Sequence, residues 1–269
     1  MIAVVDYQKG NLKSVERGLI AAGGEAFITA DASEIAKADA IVLPGVGAFA
    51  DAAATMCELG QMEAIRDRVR AGVPFLGICL GEHLMFEHGV EGAPEGNPAC
   101  GLGLLPGTVV AMPRCDAQGK AFKVPHVGWN TIEIPACGGS AAVPPCGEGG
   151  GNAVLSSGGA GGGAARSSAA KRGLFEHGAF PDSTPQPGSD LTFTCPLFDG
   201  IAPGEYFYFT HSFIAPTGSH TIAETTHSVR FTSAVQFGER AFGVQFHPEK
   251  SSDAGARVLA NFVAIAARG

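Results

Sequence analysis

Cys79 is the residue in this sequence best placed to act as a nucleophile. It lies in the segment Gly77-Ile78-Cys79-Leu80-Gly81, where an apolar stretch typical of a buried strand meets a segment with helical spacing. Small residues two positions either side of a nucleophile let the chain turn sharply and aim the thiol at the start of the following helix. The helix dipole and free N–H groups there favour a thiolate. The pattern indicates a reactive cysteine, although an ordinary buried cysteine at a strand end has the same surroundings.

A base for this nucleophile is available near the end of the chain. His247 follows a predicted strand and precedes Pro248 and Glu249. Pro248 ends the strand, and Glu249 can fold back to accept the second imidazole N–H, which would fix the tautomer of the ring. Cys79, His247 and Glu249 are therefore a candidate catalytic triad.

A glycine-rich turn at 43–49 follows another predicted strand. Glycines allow a backbone N–H to turn toward a developing oxyanion, and the N–H of Leu80, directly after the nucleophile, would be the second donor. The same turn is compatible with a phosphate loop or a tight connection.

The elements that must position these residues alternate between strand and helix. Strands are predicted at 2–6, 25–29, 40–43 and 74–78, and helices at 11–22, 62–70 and 80–87. Shorter strand-like segments are predicted at 107–112, 121–124, 129–134, 205–210, 221–226, 233–237 and 242–246, before a closing helix at 251–267. This order predicts an α/β fold with a mainly parallel sheet, helices on both faces and an antiparallel extension.

Composition excludes several classes of protein. The chain has 269 residues and a formal net charge of −8 without a basic run, which argues against nucleic acid or an anionic membrane as a partner. Its longest apolar stretches have the length of strands, so we expect no membrane span. The seven cysteines include no CxxC pair, so we expect reduced thiols and no metal site. We interpret 1–269 as a single domain with a low-complexity, disordered insertion at about 136–190.

Six segments, spread from the first predicted strand to the last, together resemble a known family. They contain Asp6-Tyr7 with Gly10-Asn11-Leu12, PGVGAF at 44–49, GICLGEHL at 77–84, PHVGWN at 125–130, YFTHSF at 208–213 and QFHPEKS at 245–251. Their order and content are similar to the class I (triad) glutamine amidotransferases. More narrowly, they resemble the glutaminase subunits or domains of imidazole glycerol phosphate synthases.

The resemblance implies a flavodoxin-like fold, and a reaction in which Cys79 attacks the side-chain amide of glutamine to form a thioester and release ammonia. It implies a (β/α)8 cyclase partner, as a subunit or a fused domain, that uses the ammonia to make imidazole glycerol phosphate and AICAR in histidine biosynthesis. No cofactor is implied, and the expected location is the cytoplasm, or a plastid for a processed or excised domain.

The resemblance also implies roles for residues outside the triad. The oxyanion would be held at Val46, Gly47 and Leu80. The glutamine pocket would include Gly45, His83, His211, Ser212 and Phe213, and the cyclase would be met by Trp129, Asn130, Tyr208 and Lys250.

Two positions depart from the family pattern. His83 stands where the family has a glutamine that binds the amino-acid end of the substrate, so we expect weaker glutamine binding. Gln8 replaces a usual glycine in the first loop. Three alternatives stay open: the glutaminase of another synthase, a regulatory or binding module with a lapsed glutamine site, and a cysteine peptidase of similar fold.

Overall fold

The computed structural model describes residues 1–135 and 192–268. The described strands are β1 (Ile2–Val5), β2 (Ala26–Thr29), β3 (Ala40–Gly45), β4 (Phe75–Cys79), β5 (Phe86–Gly89), β6 (Ala99–Cys100), β7 (Leu105–Ala111), β8 (His126–Thr131), β9 (Tyr206–His211), β10 (Phe213–Ile214), β11 (Thr221–Thr226), β12 (Arg230–Phe237) and β13 (Ala241–Val244). The described α-helices are α1 (Leu12–Ala21), α2 (Ala32–Ile35), α3 (Phe49–Glu58), α4 (Gln61–Arg70), α5 (Leu80–His83) and α6 (Ser252–Ala266). Short 3₁₀ turns are formed by Pro196–Phe198 and Pro248–Lys250.

A seven-stranded sheet in the order β11-β12-β13-β4-β3-β1-β2 forms the centre of the fold. The five strands from β13 to β2 run parallel, whereas β12 and β11 are added antiparallel at one edge. Every residue of β1, β3 and β4 is buried, as expected for strands covered on both faces. The predicted fold class is confirmed.

Alternate side chains of the sheet enter two separate hydrophobic cores. Val4 of β1 and Val42 of β3 pack in one core with apolar residues of α1 and α6. Val5 and Leu43, one position further along, pack in the other core with residues of α2, α3 and α4. The period of two along each strand therefore holds helices against both faces.

Two smaller sheets extend the central sheet. One has the order β10-β7-β5-β6, and the other pairs β8 with β9 antiparallel. Their strands contribute the segments at 125–130 and 208–213 that resemble the family.

The prediction of elements was wrong at several places. The helix predicted at 80–87 ends at His83, and β5 follows it, because periodicity cannot distinguish a helix from a strand in a short apolar run. Residues 121–124 contribute only an isolated bridge, between Ala121 and Cys115. Helix α3 was missed, although Phe49, Ala52, Ala53 and Met56 are buried at helical spacing in an alanine-rich segment.

The insertion predicted at about 136–190 lies outside the described residues, and the single-domain interpretation stays a prediction. Within residues 1–135 and 192–268, no helix is long and apolar enough to cross a membrane. The described Cys57, Cys79, Cys100 and Cys195 are free thiols.

Candidate active site

Cys79 is held in a strained conformation at the carboxyl end of β4, directly before α5. Its φ of 54° and ψ of −106° lie in a region that residues with a side chain rarely occupy. Such strain persists only when surrounding structure enforces it, and it is concentrated at functional sites. Cys79 is only 8% exposed, and it lines the cavity described below. The structure therefore has the sharp strand-to-helix turn that the sequence predicts.

The two flanking glycines allow the chain to fold this tightly. A Cβ on Gly77 would lie 2.5 Å from the carbonyl oxygen of Gly81, and a Cβ on Gly81 would overlap the carbonyl oxygen of Leu43. Both obstacles are backbone atoms, which cannot move aside as a flexible side chain can. Glycine at these positions is thus a packing requirement of the turn that carries Cys79.

His247 and Glu249 form a buried pair in the turn after β13. His247 Nδ1 lies 2.9 Å from Glu249 Oε1, and the two side chains are 4% and 2% exposed. Nε2 of His247 is buried and makes no hydrogen bond to the described residues, which leaves it available to exchange a proton. Burial disfavours the imidazolium, but the nearby Cys79 and Glu249 outweigh burial and raise the pKa of His247 to about 9.

Ser251 stabilises this turn, a role that the sequence analysis missed. Its hydroxyl donates to the carbonyl oxygen of His247 at 2.6 Å and accepts from the backbone N–H of Tyr208 at 3.0 Å. The backbone N–H of His247 donates in turn to the carbonyl of Tyr208 at 2.9 Å. A serine directly before a helix suggests an N-cap, but this hydroxyl makes no cap hydrogen bond to α6.

A cavity of about 380 Å³ opens in front of Cys79. It brings together the predicted oxyanion residues and four of the five predicted pocket residues, which are Val46, Gly47, Leu80, His83, His211, Ser212 and Phe213. Gly45, the fifth, pairs with Cys79 across the β3–β4 ladder, where a side chain would overlap the hydroxyl of Tyr7.

Four residues that the sequence analysis missed also line the cavity: Ala48, Glu91, Pro125 and Thr210. Glu91 is half-buried, and burial raises the pKa of its carboxyl above the ordinary value. Glu91 stands in a polar glycine- and proline-containing loop, so nothing local distinguishes it from a surface acid. Pro125 and Thr210 belong to segments that carry the family resemblance.

The side chains of His211 and Asn130 both form hydrogen bonds within the protein. His211 Nδ1 donates to the carbonyl of Phe213 at 2.8 Å, and His211 Nε2 lies 3.1 Å from Nδ1 of His126. Nδ2 of Asn130 donates to the carbonyl of Thr226 at 2.9 Å and lies 3.3 Å from Nε2 of His126. Burial lowers the pKa of His126 to about 4 and that of His211 well below its usual range. Asn130 was predicted to face the cyclase. Because neighbouring residues of a strand point to opposite faces, its side chain lies on the face of β8 opposite that of Trp129.

The other residues predicted at the cyclase interface, Trp129, Tyr208 and Lys250, lie together on the outer face of the β8–β9 pair. Trp129 is paired with Tyr208 across the β8–β9 ladder, with ring centres 6.1 Å apart. Nζ of Lys250 lies 5.9 Å from the centre of the Tyr208 ring. Val127, Trp129 and Tyr206 are 54%, 40% and 38% exposed, which is high for apolar side chains. We call Val127, Trp129, Tyr206, Tyr208 and Lys250 the outer β8–β9 surface.

Among the described residues, the side chains around Cys79 do not form a metal site. No cluster of three or more His, Cys, Asp or Glu side chains in residues 1–135 and 192–268 could hold a metal ion.

The chain matches the family model for "Glutamine amidotransferase class-I" over residues 3–134 and 169–266. Both matched segments include parts of the site described above, with Cys79 in the first and His247 and Glu249 in the second. The chain therefore belongs to the class-I glutamine amidotransferase family.

Curated relatives narrow this assignment. The chain is 36% identical over 263 residues to imidazole glycerol phosphate synthase subunit HisH of Moorella thermoacetica, which covers 97% of this chain and 93% of that protein. It is 35% identical to the HisH subunit of Rhodopirellula baltica, over 97% of this chain and 96% of the relative. Within its family, the chain thus groups with the HisH subunits of imidazole glycerol phosphate synthase.

Solved structures agree with the fold. A crystal structure of a glutamine amidotransferase matches with a TM-score of 0.58 at 16% identity, covering 99% of this chain and 100% of that one. PurLQS from Thermotoga maritima matches with a TM-score of 0.56 at 15% identity, covering 98% and 97%. At these identities the likeness concerns the fold alone.

Proposed function

We propose that this protein hydrolyses glutamine to glutamate and ammonia and passes the ammonia to a cyclase, which makes imidazole glycerol phosphate and AICAR in histidine biosynthesis. The observation that carries the proposal is the strained Cys79, which lines a cavity of about 380 Å³ and interacts with the buried His247–Glu249 pair. The similarity to HisH subunits over 97% of the chain supports the choice of substrate and partner.

In the proposed reaction, the Cys79 sulfur attacks the side-chain amide carbon of glutamine while its proton passes to Nε2 of His247. That nitrogen faces no competing hydrogen-bond partner among the described residues. Glu249 accepts from Nδ1 and stabilises the imidazolium. His247 then gives its proton to the leaving nitrogen, so ammonia departs and a glutamyl thioester remains. Water, activated by His247, hydrolyses the thioester to glutamate.

The proposed oxyanion hole combines the backbone N–H of Leu80 with an N–H of the turn at Val46 and Gly47. Both segments line the cavity, and Leu80 follows Cys79 at the start of α5, where N–H groups have no helical partner. Gly47 has a φ of 102°, a conformation that glycine adopts without strain. The peptide between Val46 and Gly47 is therefore free to rotate and turn its N–H toward the oxyanion.

Glu91 is the cavity-lining residue suited to the α-ammonium group of glutamine, because a carboxylate stabilises a cation in a half-buried site. We propose the outer β8–β9 surface as the docking site of the cyclase. Its exposed aromatic side chains are of the type that contributes most to protein interfaces. The proposed location is the cytoplasm.

The decisive experiment measures glutamate release by the purified protein, alone and with the cyclase and its nucleotide substrate. We expect release that the partner stimulates and that Cys79→Ala reduces by roughly a thousandfold or more. Unchanged release in Cys79→Ala would refute the assignment of the nucleophile. A protein that binds the cyclase but hydrolyses no glutamine would instead be a regulatory module.

A further inference from the structure

Gln245 contacts the nucleophile from inside the protein. Its side-chain nitrogen Nε2 donates to Sγ of Cys79 at 3.7 Å, and its oxygen Oε1 lies 2.7 Å from Nε2 of His83. Gln245 is fully buried and His83 is 3% exposed. The three side chains form a continuous chain of hydrogen bonds from His83 to the sulfur.

The position of Gln245 follows from the sheet. Strand β13 pairs parallel with β4, and Val244 lies opposite Ile78, so the next residues, Gln245 and Cys79, lie at the same level of the sheet. The backbone N–H of Gln245 donates to the carbonyl of Ser233 at 3.0 Å, which fixes the main chain there. The side chain therefore approaches the sulfur from a rigid neighbouring strand.

The orientation of the Gln245 amide depends on His83. Because the amide nitrogen faces the sulfur, the amide oxygen must accept a hydrogen bond from His83, and Nε2 of His83 must carry the proton. Burial lowers the pKa of His83 to about 4, although the hydrogen bond to Gln245 opposes this shift, so the ring is neutral and has one N–H. That single N–H is used by Gln245.

We propose that Gln245 is a positioning residue for the Cys79 nucleophile and that His83 locks the Gln245 amide in the orientation this requires. An N–H donor fixes the direction of the sulfur and favours a thiolate over a thiol, since a thiolate is the stronger acceptor. The inference deepens the proposed function and rests on it. It also gives His83 a role through Gln245, where the family resemblance implies a direct contact with substrate.

Other ionisable groups act on the same sulfur. His247 faces it from the turn after β13, Glu82 from α5 and Tyr7 from the loop after β1. The substitutions that test this inference, at Gln245, His83 and Gln61, leave these three groups in place, so a change in Cys79 reactivity reports on the Gln245 amide.

The first test is the pH dependence of Cys79 alkylation by iodoacetamide, followed by mass spectrometry of the peptide that contains Cys79. Gln245→Met removes the donor, and we expect the midpoint of the profile to rise by about one pH unit. His83→Leu frees the amide and moves the midpoint in the same direction by less. His83→Gln offers a new N–H to Oε1 of Gln245, so we expect its midpoint to stay close to that of the wild type.

Gln61→Met is the matched control. Gln61 is also fully buried, and its amide donates to the carbonyls of Asp6 and Ala30 at 2.9 Å each, without contacting the sulfur. Thermal unfolding of all variants shows how much each loses in stability. We expect Gln61→Met to lose stability without any shift in the alkylation profile.

Steady-state kinetics with glutamine separate the two possible roles of His83. We expect His83→Leu to lower kcat about tenfold, as for one lost hydrogen bond, with KM changed less than about twofold. A raised KM with an unchanged kcat, or an unchanged alkylation profile in Gln245→Met, would overturn the inference. If the wild type releases no glutamate but the alkylation profile still shifts, the proposed function fails while the positioning by Gln245 stands.

Discussion

At the residue scale, two buried glutamates near Cys79 have contrasting surroundings. Oε1 of Glu249 is paired with His247, whereas both oxygens of Glu82 have no hydrogen-bond partner in the described residues. Both side chains are almost completely removed from solvent. A buried carboxyl group without a donor is costly in its charged form.

Glu249→Gln tests the electrostatic role of the pair. The amide keeps the shape and an acceptor oxygen but removes the charge that helps to raise the pKa of His247, so we expect glutamate release to fall roughly a hundredfold. The raised pKa gives the wild type stability that is complete below about pH 6.5 and is lost as pH rises through about 9. Urea unfolding between pH 6 and 10 should show a flatter dependence in Glu249→Gln. An equally steep dependence in both proteins would contradict this account.

Glu82→Met addresses the unpaired carboxyl. Burial, with a smaller effect from Cys79, raises the pKa of Glu82 well above 4.5, so the folded protein binds a proton that the unfolded chain releases. This cost grows as pH rises above the unfolded value. We expect Glu82→Met to increase the free energy of unfolding at pH 8 by about 1–3 kcal/mol, and by less at pH 5. Exposed Glu63→Met is the control, and equal gains for Glu82→Met at both pH values would disprove the mechanism.

At the element scale, the site depends on how closely α5 approaches the carboxyl ends of β3 and β4. Helix α5 has only four residues, and it begins immediately after Cys79. Gly81 lies against the backbone of β3, at the carbonyl of Leu43. The fold therefore holds the nucleophile by backbone packing and gains little from so short a helix.

Gly81→Ala is expected to destabilise the protein by about 3 kcal/mol or more, because the added methyl overlaps a carbonyl that cannot move alone. Gly18→Ala in α1 is the matched comparison. Its methyl would meet Cδ1 of Leu259, the end of a flexible side chain, and alanine favours a helix interior. Urea unfolding of both variants measures the difference. A loss in Gly81→Ala no larger than that in Gly18→Ala would refute the packing requirement.

At the scale of the whole molecule, the outer β8–β9 surface is connected to the triad through the backbone. Tyr208 contributes its ring to that surface, while its carbonyl accepts from the N–H of His247. Ser251 ties the same strand to the carbonyl of His247. A partner that docks on the surface would thus contact the strand that holds the catalytic base.

Trp129→Ala tests the proposed docking site. We expect the affinity for the cyclase to fall roughly thirtyfold, as for a central aromatic residue of an interface. Val90→Ala, which alters another exposed apolar residue, in the loop after β5, should leave the affinity unchanged. Calorimetric titration measures both. Equal affinities for the two variants would place the docking site elsewhere.

Much of the fold could be predicted from sequence because buried parallel strands are nearly continuous apolar runs. The strands that end at Cys79 and before His247 were predicted within one or two residues of their observed ends. Helix α3, which follows a glycine-rich turn, was missed. Helix α5 was predicted too long because the residues after His83 are apolar, a pattern that fits a helix or a strand equally well. These residues form a strand because β5 pairs with β7, and local periodicity carries no information about that pairing.

The sequence by itself determined the family, the order of the strands and helices that carry the motifs, and the candidate triad, because these depend on residue types at short spacing. Only the tertiary structure decided the partners of single side chains. His83 contacts Gln245, 162 residues away, Asn130 points inward, and Glu91 lines the cavity. Such contacts depend on the register of strands distant in sequence, and an N–H···O hydrogen bond forms only when packing brings its donor and acceptor to about 3 Å.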